Sequence, residues 1–154
     1  MAKLAVSLLE ADFRFLADQL TTIKEAGGDY IHIDVMDGMF VPNLAFGMKE
    51  IEGIRNASDL FFDVHMMVHE PIRYVEEIAD AGADLISVHL KACTDPIKTI
   101  KKIHESKTGA GIVLNPETQI EELPEELIEM VDIVQLMTVR PGLKGEKLRI
   151  SLVK

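Results

Sequence analysis

Tyr30-Ile31-His32-Ile33-Asp34-Val35-Met36-Asp37-Gly38-Met39-Phe40-Val41-Pro42-Asn43 is the stretch on which the reading of this chain turns. Its first half is an apolar strand with His32 and Asp34 on alternate positions. Period-2 geometry places those two side chains on one face and Ile31, Ile33 and Val35 on the other. Burying a charge is costly unless something pairs with it, and a metal ion is one such partner. After Val35 the strand gives way to a turn-rich loop punctuated by Gly38 and Pro42.

Outward from this stretch, apolar runs alternate with helical periodicity. Strands are expected over Leu4–Leu9, Tyr30–Val35, Phe61–Val68, Leu85–His89, Gly109–Leu114 and Ile133–Met137. Helices are expected over Asp12–Ala26, Met48–Arg55, from Pro71 to Ala81, over Pro96–Ser106 and over Ile120–Met130. An internal echo supports this order: Glu25-Ala-Gly-Gly-Asp-Tyr-Ile-His-Ile and Asp80-Ala-Gly-Ala-Asp-Leu-Ile-Ser-Val share one pattern, and Asp132-Ile-Val-Gln-Leu repeats its second half. Strands alternating with helices imply right-handed βαβ units in a parallel sheet. Polar residues recur on one strand face near the C-terminal ends, at His32, Asp34, Asp63, His65, Ser87, His89 and Gln135. That favours a barrel with its site at that end over an open sheet. No Gly-x-Gly-x-x-Gly follows the first strand, which argues against a dinucleotide fold.

The bulk properties set limits. At 154 residues, 47% hydrophobic and 27% charged, residues 1–154 read as one globular domain. A net charge of −10 argues against nucleic acid or an anionic membrane as partner. A phosphorylated small molecule remains compatible, because loop amides and helix N-termini bind anions locally. A lone Cys93 rules out an intrachain disulfide framework and suits a cytoplasmic location. No apolar run reaches membrane-spanning length, and the N-terminus does not read as a signal peptide.

His32, Asp34 and His65 form the sharpest constellation. Two imidazoles and a carboxylate suit one divalent ion (zinc, manganese, iron or cobalt). They equally suit core histidines hydrogen-bonded to neighbouring carboxylates. The wider motifs bear on the choice: His-Ile-Asp-Val-Met-Asp-Gly-Met-Phe-Val-Pro-Asn at 32–43, Asp-Val-His-Met-Met-Val at 63–68, Ala-Gly-Ala-Asp then Ser-Val-His within 81–89, Leu-Asn-Pro-Glu-Thr at 114–118, and Met-Thr-Val-x-Pro-Gly at 137–142. In this order and spacing the chain resembles the ribulose-phosphate 3-epimerases and the related allulose-6-phosphate 3-epimerases, from Ser7 to about Lys147.

The resemblance implies a (β/α)8 TIM barrel, here an incomplete one of six βα units. It implies epimerisation of a phosphorylated ketose at C3 by proton removal on one face and return on the other. D-ribulose 5-phosphate is the expected substrate, with allulose 6-phosphate as alternative. By the matching positions, His32, Asp34 and His65 are metal ligands and Asp34 is also the catalytic base. Ser7, His65, Met36, Met67 and Met137 contact substrate, and Gly142, Leu143, Lys144 and Gly145 begin a loop near its phosphate. A bland reading stands beside several of these. Ser7 also reads as a small strand residue and the methionines as core filler. Asp37 with Gly38 reads as a turn former, Asp63 as an orienting group, His89 as a buried barrel histidine and Cys93 as inert.

The chain departs from the family pattern in three places. Glu10 stands where the family usually has serine. Arg140-Pro-Gly-Leu-Lys-Gly-Glu146 replaces the usual Asn-Pro-Gly-Phe-Gly-Gly-Gln. The family pattern also continues beyond Lys154 for two βα units that carry a second catalytic aspartate, a fourth metal ligand and most of the phosphate site. The alternative expectation is therefore a non-catalytic remnant that keeps a weak metal site. Exposed first and last strand edges would favour self-association into a homo-oligomer.

Overall fold

The computed structural model describes residues 2–143. Six parallel strands lie side by side in chain order: β1 (Ala5–Ser7), β2 (Tyr30–Asp37), β4 (Phe61–Met67), β5 (Leu85–His89), β6 (Gly109–Leu114) and β7 (Ile133–Leu136). A two-residue strand, β3 (Leu44–Ala45), turns back antiparallel onto Met36 and Asp37. Five helices cross between the strands: α1 (Leu16–Glu25), α2 (Met48–Arg55), α3 (Val75–Asp80), α4 (Pro96–Glu105) and α5 (Glu125–Met130). The described residues thus form an incomplete (β/α) barrel, as the repeat of strands and helices implies.

Strand alternation separates two faces. Ile31, Ile33, Phe62, Val64, Ile86, Val88 and Ile112 join one core with Leu20, Ile51, Ile78, Ile100, Ile103 and Leu127 from the helices. Burying each such side chain contributes about 1.5–3 kcal/mol, so the helix layer is what holds the sheet. The other face carries the polar residues. Register aligns Ser7 with His32 and His32 with Asp63, then Asp34 with His65 and His65 with Ser87.

The internal echo has a structural cause. Asp29, Asp84 and Asp132 each stand just before a strand. Their carboxylates accept from the backbone N–H of Leu4 (2.8 Å), Phe62 (2.7 Å) and Ala110 (2.9 Å) on the neighbouring earlier strand. Each therefore closes the open N-terminal end of one strand pair, where an unpaired N–H would otherwise cost free energy. Arg55 ties the same end together. It donates to Asp84, to Ser58 O (2.6 Å) and to Leu60 O (2.8 Å), and its guanidinium lies 3.7 Å from the Phe62 ring centroid.

Several expected boundaries move. β1 shrinks to three residues and β4 stops at Met67. β2 runs on to Asp37, because Met36 and Asp37 find partners in Met67 and β3. The expected Asp12–Ala26 helix divides into a 3-10 turn at Phe13–Phe15 and α1. Pro71 opens a 3-10 turn, and α3 starts only at Val75, because Tyr74 between them leaves helical backbone angles (φ −120°, ψ 0°). The expected Ile120–Met130 helix is a 3-10 turn at Ile120–Glu122 and a separate α5, with Pro124 between them. Proline has no N–H to donate and disfavours helix in the residue before it. At the last strand, Val134 and Leu136 are 37% and 52% exposed, although both alternate onto the helix-facing side.

Candidate active site at the strand C-terminal ends

β2 and β4 pair in register, so His32, Asp34 and His65 arrive on the same face, one pleat apart. His32 Nε2 lies 3.4 Å from His65 Nδ1 and 3.4 Å from Asp34 Oδ1, and His65 Nδ1 lies 3.1 Å from Asp34 Oδ1. His65 is fully buried, Asp34 buried and His32 half-buried. The far side of each group is also held. His32 Nδ1 donates to Asp63 Oδ2 at 2.7 Å, and the Ser7 hydroxyl donates to Asp34 Oδ2 at 2.7 Å. With its Nδ1–H committed to Asp63, a neutral His32 presents a lone pair at Nε2 toward the Asp34 carboxylate oxygen. Electron-rich atoms facing one another at this range need a cation among them.

The charge states agree. Burial disfavours a charged His32 ring, but Asp34 and Asp63 outweigh it and push its pKa up to about 10. Burial also opposes ionisation of Asp34, yet His32 and His65 hold its carboxyl well below the usual carboxylate range. For His65 burial wins and keeps the ring neutral. In the absence of a metal, a proton on His32 supplies the positive charge. The residues also fit a divalent ion. Donors about 2.1 Å from an ion stand about 3.4 Å apart in tetrahedral coordination, close to the 3.4, 3.4 and 3.1 Å found here. Among the described residues these three are the group of donors close enough to hold one.

The surroundings sort the remaining expected residues. Ser7 meets the triad through Asp34. Met36 and Met67 are buried together with Val41 beside the site, and Met137 directly follows β7, where Gln135 Nε2 reaches its sulfur at 3.6 Å. Gly142 has φ +72°, and a Cβ there would lie 2.5 Å from Val41 Cβ, so the loop after β7 packs directly onto the loop after β2. Leu143 is exposed. Lys144 and Gly145 lie outside the described residues. Asp37 is a turn former: it accepts from the N–H groups of Met39, Phe40 and His69. Asp63 is the orienting group for His32, as its bland reading has it.

Two residues enter with no expected role or an undecided one. His89 Nε2 lies 2.8 Å from His65 Nε2, and its Nδ1 lies 2.6 Å from Asn115 Oδ1. The Phe40 ring covers His89 at 4.9 Å. Asn115 sits in a loop, where no periodicity marks a residue as facing the site; the Leu-Asn-Pro-Glu-Thr motif was its only signal.

The ribulose-phosphate 3 epimerase family model matches residues 3–154. The chain belongs to that family. It is 46% identical over 147 residues to a ribulose-phosphate 3-epimerase of Bacillus subtilis, an alignment covering 96% of this chain and 67% of the relative. It is 43% identical to a ribulose-phosphate 3-epimerase of Synechocystis, covering 92% of this chain and 62% of the relative. The chain thus spans about two thirds of the length of the relatives it matches. Among solved structures, a phospho-2-dehydro-3-deoxyheptonate aldolase from Thermotoga maritima superposes on 98% of this chain and 46% of its own, with a TM-score of 0.66 at 14% identity. At that identity the likeness shows the barrel fold alone. No helix among the described residues is long and apolar enough to cross a membrane.

Proposed function

We propose that this chain carries the cation-binding and first proton-transfer half of a 3-epimerase for a phosphorylated ketose, with D-ribulose 5-phosphate as substrate. What carries the reading is the convergence of His32 Nε2, Asp34 Oδ1 and His65 Nδ1 on one point on the polar face of β2 and β4. The family supplies the reaction, and its Bacillus subtilis and Synechocystis members, both ribulose-phosphate 3-epimerases, supply the sugar phosphate.

His32, Asp34 and His65 would hold a divalent ion. When bound, such an ion supplies Lewis acidity toward the sugar's carbonyl and hydroxyl oxygens, which raises the acidity of the C3–H. Asp34 Oδ2, free of the imidazoles, takes the C3 proton. The depressed pKa keeps Asp34 ionised and ready at neutral pH but makes it a weak base, so the carbon acid has to be strengthened for transfer to proceed. The Ser7 hydroxyl positions that oxygen, and Asp63 fixes His32. Met36, Met67 and Met137 offer an apolar wall to the sugar, and the loop from Gly142 through Gly145 offers backbone amides to its phosphate.

Inversion requires an acid on the opposite face of C3, which the family pattern places beyond the matched segment. The 154-residue chain alone is therefore expected to labilise C3–H in one epimer without inverting it. The experiment is proton NMR in D2O with ribulose 5-phosphate and xylulose 5-phosphate, with zinc, manganese, iron(II) or cobalt added. Loss of the C3–H signal from one epimer, abolished by Asp34→Asn, supports the reading. No exchange with any of these ions refutes it for this chain and favours the non-catalytic reading. Among the described residues Val134 and Leu136 on β7 are exposed, and a second copy covering them is the proposed contact of a homo-oligomer.

A further inference from the structure

Behind the donors runs a second line of polar groups, away from the mouth. His65 Nε2 meets His89 Nε2 at 2.8 Å, and His89 Nδ1 meets Asn115 Oδ1 at 2.6 Å. His65 and His89 are both fully buried, and neither the Phe40 ring nor Asn115 brings a charge to His89. Two ring nitrogens at 2.8 Å share a single hydrogen, so the line has a direction, set by competition between the acceptors at its two ends, Asp34 Oδ1 at 3.1 Å from His65 Nδ1 and Asn115 Oδ1 beyond His89. Asn115 presents its carbonyl oxygen, which only accepts. Where the Asn115 end prevails, His89 carries its hydrogen on Nδ1, its Nε2 is the acceptor, the shared hydrogen belongs to His65 Nε2, and the Asp34 charge is met by the protonated His32 ring 3.4 Å away. That leaves His65 Nδ1 as a lone pair facing Asp34 and His32.

We propose that His89 and Asn115 are positioning residues that fix the tautomer of His65, so that Nδ1 is presented as a donor to a cation. The opposite direction would place a hydrogen on Nδ1, pointing it at Asp34 Oδ1 and closing the donor to any ion. Rings with two available tautomers lose affinity unless a second group selects one of them. Asn115 acts from the loop after β6, two strands away from His65, so the sheet order β4-β5-β6 is what joins them. The role toward a cation rests on the metal-binding reading above; the tautomer itself does not.

The test uses the full chain with Asn115→Leu, which removes the acceptor, and Asn115→Asp, which keeps it. Two-bond proton–nitrogen NMR of the metal-free chain reads the tautomer directly. His65 is expected to carry its hydrogen on Nε2 in the wild type and in Asn115→Asp, and to populate both tautomers in Asn115→Leu. Chelator competition with cobalt(II) then reads affinity. Asn115→Leu should bind about 10–100-fold more weakly, and Asn115→Asp should match or exceed the wild type. A hydrogen on His65 Nδ1 in the metal-free wild type overturns the proposal, as does equal tautomer bias and equal cobalt affinity in all three chains. A wild type with the expected tautomer that takes up no cobalt overturns the cation role but leaves the tautomer assignment standing, which separates the two failures.

Discussion

Gly111→Ala probes how closely the strands approach inside the barrel. Gly111 on β6 is the register partner of Ser87 on β5. A Cβ at Gly111 would lie 2.3 Å from Ser87 Oγ, 3.1 Å from Ser87 Cβ and 3.3 Å from Ser87 Cα. The first contact is about 1 Å too short, so either the hydroxyl rotates away or the strands part. Ser87 is fully buried and its Oγ has no hydrogen-bond partner among the described residues. Overpacking of this kind costs about 1–3 kcal/mol, less about 0.5–1 kcal/mol recovered because alanine restricts the unfolded chain. A net loss of about 1–2 kcal/mol lowers Tm by about 2–8 °C in a chain of this size. Ser87→Ala alone removes an unpartnered buried hydroxyl and is expected to be neutral or stabilising by up to about 1 kcal/mol. With Ser87→Ala in place, only the 3.1 Å and 3.3 Å contacts remain, and Gly111→Ala should cost less than about 0.5 kcal/mol. Urea and thermal unfolding of the four proteins give the coupling. If the two changes add within about 0.5 kcal/mol, the steric account is wrong.

Three further outcomes follow from other parts of the molecule. Arg55→Ala should lower stability by about 3 kcal/mol, because the carbonyls of Ser58, Leu60 and Gly82 and the Asp84 carboxylate lose a largely buried charged donor. Arg55→Lys should recover under half of that in urea unfolding, since an ammonium cannot reach both carbonyls as a planar fork does. Saturating zinc or cobalt, at about 100 times its Kd, should raise the wild-type Tm by about 5–10 °C and leave His65→Ala unmoved in a thermal scan. Burial, with Glu70 and Asp95 adding to it, pushes the Cys93 thiol up to about 12. The native thiol should therefore label at least about 100-fold more slowly at pH 8 than the thiol of the urea-unfolded chain. Because the folded state holds this proton more tightly, its contribution to stability is complete below the unfolded thiol pKa of about 9. It is lost as pH rises from there toward about 12.

Much of this was legible in the residues because the relevant signals are local. α2, β5 and β6 fall on the boundaries that periodicity and glycine punctuation give. The alternation of His32 and Asp34 against isoleucines placed the site on one face, and strand pairing then brought His65 to it. What the chain concealed depends on pairing at a distance or on backbone detail. β3 is two residues long and carries no period. The last two residues of β2 are strand only because β3 and Met67 flank them. Pro124 divides a segment whose apolar spacing reads as one helix. The aspartates at 29, 84 and 132 were visible as a repeat, but their purpose was not, since each serves a strand about 22–25 residues earlier. Asn115 is the instructive miss: a loop residue whose meaning comes only from the ring it faces.

The three proposed cation donors also lie close together in sequence, between His32 and His65, on strands that are neighbours in both chain and sheet. On a ribosome they would be synthesised before β5, β6 or β7. The pairing of β2 with β4 that joins them needs no strand made later in the chain. A divalent ion met at that stage would favour the β2–β4 pairing by mass action, and the metal would then act as a template for assembling the sheet.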